Sequence, residues 1–249
     1  VTVRSHVHPL RRIAGSETVR SETLSAGRRA ELLDRMYDVY TQTMHGHTRE
    51  QFEQHLFGAG DLRLTLYRGA SGEFAGFAYI GIQCVEHAGR PVAAFSAGGF
   101  FRPGYHDGGV SGMAFGLREA LRFKLRRPGT ALGYLARTSS PVAYRLFTRT
   151  MPRVYPSRGR PIPPDIDALV RKLAAGRGYR PIGADPWIVR SDAVPRNAAG
   201  MNRFESHPDV RFYRELNPHH DEALLVWIPL TAVTMLGGLC RQVRLRLSR

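Results

Sequence analysis

The chain has 249 residues, 43% of them apolar, with a formal net charge of +15 and a pI near 10.8. That apolar share excludes a globally disordered chain, and the length suits one large domain or two small ones. Two cysteines with no Cys-x-x-Cys pair exclude a zinc ribbon or a thioredoxin-type site.

Cys84 and Cys240 are therefore expected as free, buried thiols in a reducing compartment. Lysine occurs only at 124 and 172, so the positive charge is almost all arginine, the better bidentate binder of phosphate and carboxylate. A negatively charged partner is expected: a phosphorylated cofactor, an acidic protein, nucleic acid or an anionic membrane. Residues 1–15 lack the apolar core of a signal peptide. No run reaches the ~18 apolar residues of a spanning helix, so a cytoplasmic protein is predicted.

Residues 1–23 carry Arg4, Arg11, Arg12 and Arg20 with little periodicity and read as an arm or an added first strand. Leu32, Leu33, Met36, Val39 and Tyr40 recur at helical spacing and predict a helix over about 25–44. Thr48 and Gln51 form a capping-box pattern before a short helix ending near Phe57. Leu62, Leu64 and Leu66 alternate with Arg63, Thr65 and Tyr67, which is strand period. Strands over about 74–85 and 91–101 complete an antiparallel meander. A helix over 110–127 follows, with Val110, Met113, Leu117, Leu121 and Leu125 on the face expected to turn inward. Arg118, Arg122, Lys124, Arg126 and Arg127 form its basic flank, which suits an acidic partner or simple solvation.

Beyond Pro128-Gly129 the pattern predicts a strand over 131–136 and a helix opened by Ser140-Pro141. An ordered loop over 151–164, a helix over 165–175, a strand over 187–190, a helix over 206–216 and a strand over 223–230 follow. The tail 231–249 alternates apolar residues with Arg241, Arg244, Arg246 and Arg249 and is weakened as a helix by Gly237-Gly238. It can dock on the core or make peripheral membrane contact.

Between the third strand and its helix lies Phe101-Arg-Pro-Gly-Tyr-His-Asp-Gly-Gly-Val-Ser-Gly112. A Gly-rich bend at a helix start can turn backbone N–H groups and the helix dipole toward an anion. As a bare glycine pattern it reads first as an ordinary strand-to-helix turn.

This stretch and the order of elements resemble the GCN5-related N-acetyltransferase (GNAT) superfamily. There a strand leads into apolar-x-Pro-x-Tyr-Arg-Gly-x-Gly-x-Gly or -Ala, whose amides hold the pyrophosphate of acyl-CoA. Phe101, Pro103, Tyr105 and Gly109 agree with that pattern. His106 stands where Arg or Gln is usual, and Asp107 and Ser111 replace small residues. The family's later Asn-x-x-Ala-x-x-x-Tyr is matched by Ser140, Ala143 and Phe147. Phe147 has no hydroxyl, and Tyr144 lies one turn earlier in its stead.

The resemblance implies an α/β (α+β) fold with a mixed, mostly antiparallel central sheet flanked by helices. It covers residues 24–230, with insertions near 151–164 and 200–220. It implies an N-acyltransferase that uses acyl-CoA (acetyl-CoA or longer) or the acyl-phosphopantetheine of an acidic acyl carrier protein. The acceptor is an amine-bearing small molecule or peptide. Donor contacts fall at Phe100, Phe101, Arg102, Tyr105, His106, Asp107, Gly108, Gly109, Val110, Ser111 and Ser140. Glu86 and His106 are the candidate bases, with His87 beside them, and Tyr144 is the candidate acid. A splayed strand at Gly98, Gly99 and Phe100 would supply an oxyanion donor.

No metal is expected, because His45-x-His47 and His219-His220-Asp221 lack further ligands at a familiar spacing. The competing expectation is a catalytically inactive GNAT-fold module that binds nucleic acid or anionic membrane through its arginines. Nucleic acid ranks lower, for want of an RNA-binding aromatic motif or a helix-turn-helix.

Overall fold

Ser25 accepts a hydrogen bond from the Arg28 amide and so caps α1 (Ala26–Thr43). Thr48 and Gln51 close the expected capping box on α2 (Arg49–Phe57). That box satisfies two donors at a helix start and contributes about 1 kcal/mol. The computed structural model describes residues 11–58, 61–105, 108–191, 193–196, 204–219 and 221–247.

Eight strands form one sheet in the order β1 (Ile13–Arg20), β3 (Asp61–Gly69), β4 (Phe74–His87), β5 (Arg90–Phe101), β6 (Ala131–Thr138), β10 (Glu222–Pro229), β8 (Asp185–Arg190) and β7 (Pro181–Ile182). Two-residue strands β2 (Met44–His45) and β9 (Val194–Pro195) complete the numbering. β1–β3, β6–β10, β10–β8 and β8–β7 are antiparallel, and β5–β6 is parallel. Tight turns join β3 to β4 and β4 to β5, neighbours in the order, which makes both hairpins. The sheet is mixed and mostly antiparallel, as expected, and helices flank it. They are α1, α2, α3 (Gly108–Arg126), α4 (Pro141–Thr150), α5 (Pro164–Gly176), α6 (Pro208–Leu216) and α7 (Ala232–Leu247).

The chain divides into two compact units, Val1–Gly81 with Ala97–Glu119, and Ile82–Ser96 with Ala120–Arg249. In the first, β1 adds an edge strand, with Thr18 Oγ1 3.1 Å from Thr65 Oγ1. Leu32, Leu33, Met36, Phe52, Leu64 and Phe77 are buried there. Arg63, Thr65 and Tyr67 are as buried as the leucines between them, and Arg63 is ion-paired with the equally buried Glu119.

In the second unit Leu135, Tyr144, Leu173, Trp187, Leu224 and Trp227 belong to one buried cluster. Gly133 gives the Trp227 ring its place, since a Cβ there would run into it. α7 docks through the two glycines that weaken it as a sequence. A Cβ on Gly237 would lie 3.3 Å from Pro152, and one on Gly238 would lie 3.1 Å from Met151 Sδ. Arg241 Nη1 donates to Met151 O at 2.9 Å.

Two expectations are corrected. Cys84 is exposed, not buried, because it sits at an outward position near the end of β4. On α3 the inward face is Phe115, Glu119, Ala120 and Phe123, while Leu117, Leu121 and Leu125 are exposed. The helix carries two stripes at helical spacing, and the bulky rings occupy the buried one. Phe123 meets Phe95 edge-on at 5.5 Å.

Candidate active site

β5 pairs with β6 only from Val92–Ala131 to Phe95–Tyr134, yet it runs on to Phe101. Beyond its last β6 partner it presents Ala97 and Gly99 as exposed positions, both small. The alternate positions are occupied. The ring of Tyr79 lies against Gly98, where a Cβ would come within 2.5 Å of it. Phe100 packs among Tyr40, Phe52 and Phe77, with ring centroids at 5.4, 6.5 and 5.4 Å. The glycine at 98 is thus required by a neighbouring ring, and the exposed glycine at 99 leaves the backbone open.

Phe101 lies tilted against Tyr67 with ring centroids 5.2 Å apart, and Gly76 gives room for Phe100 and Phe101 to approach β4. The turn that follows is tied down from several sides. Arg102 donates from its amide to Ala75 O (2.9 Å), from Nε to Phe74 O (2.9 Å) and from Nη2 to Asp38 (2.5 Å). These bonds clamp the turn through Arg102. Gly104 takes a φ of +98°, which a side chain would resist. Tyr105 is buried, and its hydroxyl donates to Glu73. That bond, with a second from Ser71, lowers the Glu73 carboxyl to about 2. Burial first, then the Glu73 carboxylate, raises the Tyr105 phenol.

This arrangement sets a pH dependence. A depressed carboxyl contributes stability above its unfolded value of 4.5 and loses it as pH falls toward 2. Tyr105→Phe is expected to melt below wild type near neutral pH, with the gap narrowing across that window. Thermal melts of both proteins at descending pH check it, and a constant gap would contradict it.

His106 and Asp107 lie outside the described residues. The backbone of Gly108–Ser111, Val110 included, forms the first turn of α3. The first four N–H groups of a helix have no carbonyl partner within it, so this turn offers donors to an anion.

The other candidates belong to the second unit. Glu86 is exposed beside the turn that opens β5, whereas Phe101 closes that strand. Its carbonyl accepts from Lys172 Nζ at 2.6 Å. His87 faces Asp165 at 2.7 Å. Ser140 caps α4 by accepting from the Ala143 amide at 3.3 Å. Its neighbours Ser139 and Pro141 line a cavity of about 290 Å³ with Tyr213, Asn217 and His219. Tyr144 is fully buried, its hydroxyl donates to Pro156 O at 2.9 Å, and burial raises its phenol far above the ordinary value. That hydroxyl ties α4 to the 151–164 loop.

A pair absent from the sequence reading does reach β5. His55 on α2 lies with Nε2 3.1 Å from Tyr79 Oη, and the Tyr79 ring covers Gly98. The His47 ring lies 5.6 Å from that of His55. His55 follows Phe52 by three residues, so helical spacing puts both on the side of α2 that turns toward the sheet. That spacing was the available signal. Both rings are half-buried, which suits proton transfer beside a partly dry strand end.

No family model matches the chain, and a search of curated proteins gave no significant match. Among solved structures it is similar to Arabidopsis thaliana NAA60 in complex with acetyl-CoA, at 10% identity and a TM-score of 0.40, covering 87% of this chain and 99% of that one. It is similar to a Trypanosoma brucei acetyltransferase at 16% identity and a TM-score of 0.34, covering 60% and 100%. A conserved Enterococcus faecalis protein matches at 15% identity and a TM-score of 0.34 over 55% of this chain, which spans 33% of that protein's length.

Proposed function

We propose that the chain is an N-acyltransferase of the GNAT kind, moving an acyl group from a thioester to an amine. One observation carries the reading: β5 runs past its last β6 partner, exposes small residues and turns into the start of α3. Small exposed positions at Ala97 and Gly99 fit a narrow pantetheine chain. The first-turn amides of α3 fit its phosphates. A bound acyl thioester supplies an activated carbonyl carbon and a thiolate leaving group. The chain's own work is to hold that carbonyl beside the 97–99 backbone and to take a proton from the amine as the C–N bond forms. His55 is the group we assign to that proton, with Tyr79 orienting its ring.

The donor is acyl-CoA or an acyl carrier protein, and both present the same phosphopantetheine. The acceptor is an amine-bearing small molecule or peptide. Purified protein mixed with acetyl-CoA, a long-chain acyl-CoA or an acylated carrier protein is expected to melt at a higher temperature with its true donor. No shift with any of the three would sink this reading.

A further inference from the structure

The exposed face of α3 repeats one dipeptide three times, Leu117-Arg118, Leu121-Arg122 and Leu125-Arg126. At four-residue spacing the leucines form one stripe and the arginines the next, about 12 Å long. The leucines are 50%, 53% and 74% exposed. They are not spare core. The buried stripe of the same helix is filled by Phe115, Ala120 and Phe123.

We infer that this face docks on an anionic lipid surface, with the leucines entering the headgroup boundary and the arginines meeting lipid phosphates or carboxylates. Three features favour lipid over other anions. Leucines gain nothing from a nucleic-acid backbone, so the apolar stripe needs an apolar recipient. The charge of +15 is spread along the whole chain, which suits an extended negative surface more than a small acidic patch. A second helix, α7, also exposes apolar side chains, Val233 at 79% and Leu236 at 63%, and arginines follow them. Among the described residues no helix is long and apolar enough to cross a membrane. Three half-exposed leucines are a weak anchor alone, so binding should require the negative headgroups as well.

Co-sedimentation of the full chain with vesicles tests this without donor or acceptor, and so apart from the acyltransferase reading. Phosphatidylcholine vesicles containing phosphatidylserine are expected to bind, and pure phosphatidylcholine vesicles to bind far less. Arg122→Gln with Arg126→Gln should weaken binding roughly 30-fold. Leu121→Ser with Leu125→Ser should weaken it at least about tenfold. Salt that cuts the Debye length to about 3 Å should release the protein. Equal binding to both vesicle types, no binding to either, or wild-type binding by both double variants overturns the proposal. Self-association of the wild type that the leucine variant loses also overturns it, and would give the stripe to a second copy of the chain.

Discussion

Glu119→Ala is expected to destabilise the protein by about 3 kcal/mol. Glu119 and Arg63 are 2% and 5% exposed, and their ion pair joins α3 to β3 inside the first unit. Removing the carboxylate leaves a guanidinium in a place where water cannot solvate it. Arg63 keeps Asp61 at 3.1 Å, but Asp61 is 41% exposed and its field is screened. That remaining partner puts the loss at the lower end of the range for breaking a buried pair. The pair itself is not a large net source of stability, because both charges were taken out of water to form it. The double change Arg63→Met with Glu119→Met is therefore expected to recover most of the loss. Urea-unfolding midpoints of the three proteins read both statements. A single variant within about 0.5 kcal/mol of wild type would mean that the carboxylate is not holding Arg63.

The same pair marks where the sequence stops being informative. Alternation in Leu62–Tyr67 located β3, and the capping box located α2, because both signals are local. Neither signal says what covers the other face. Arg63 looks like a solvent position until Glu119 of α3 is placed against it. On α3, helical spacing held for the Leu117 stripe and for the Phe115 stripe alike. Periodicity finds a helix but cannot choose between two stripes, and here the aromatic one is buried.

The candidate site divides in the same way. The Gly-rich turn was legible from residue types, since few arrangements other than a strand-to-helix bend use them. What fastens it was not. Arg102, a natural phosphate ligand in sequence, is spent on Phe74 O and Asp38, and Tyr105 on Glu73. Tyr144 had the right chemistry and the right helix, but its hydroxyl is fixed on Pro156. His55 and Tyr79 lie 24 residues apart on different elements. Only the hairpin and the packing of α2 bring them together.

His55→Gln is expected to lower kcat by about 10²–10⁴ on whichever donor and amine the protein uses. In the proposed acyl transfer the amine must shed a proton as it bonds to the acyl carbon, and an imidazole is the ordinary side chain best placed to take one near neutral pH. His55 is half-buried, its Nε2 meets Tyr79 Oη, and Tyr79 lies on Gly98 in the exposed end of β5. Glutamine keeps a polar group within reach of Tyr79 but cannot accept the proton. The melting temperature should therefore stay close to that of wild type while turnover falls. Only the neutral imidazole is a base, so wild-type kcat should rise with pH as the ring deprotonates, and that limb should be missing in His55→Gln. Tyr79→Phe should keep the limb with a smaller loss in rate, because it removes the group that orients the ring and leaves the base. If His55→Gln retains both its rate and its pH limb, His55 is not the base, and its bond to Tyr79 serves only to fasten α2 to β4.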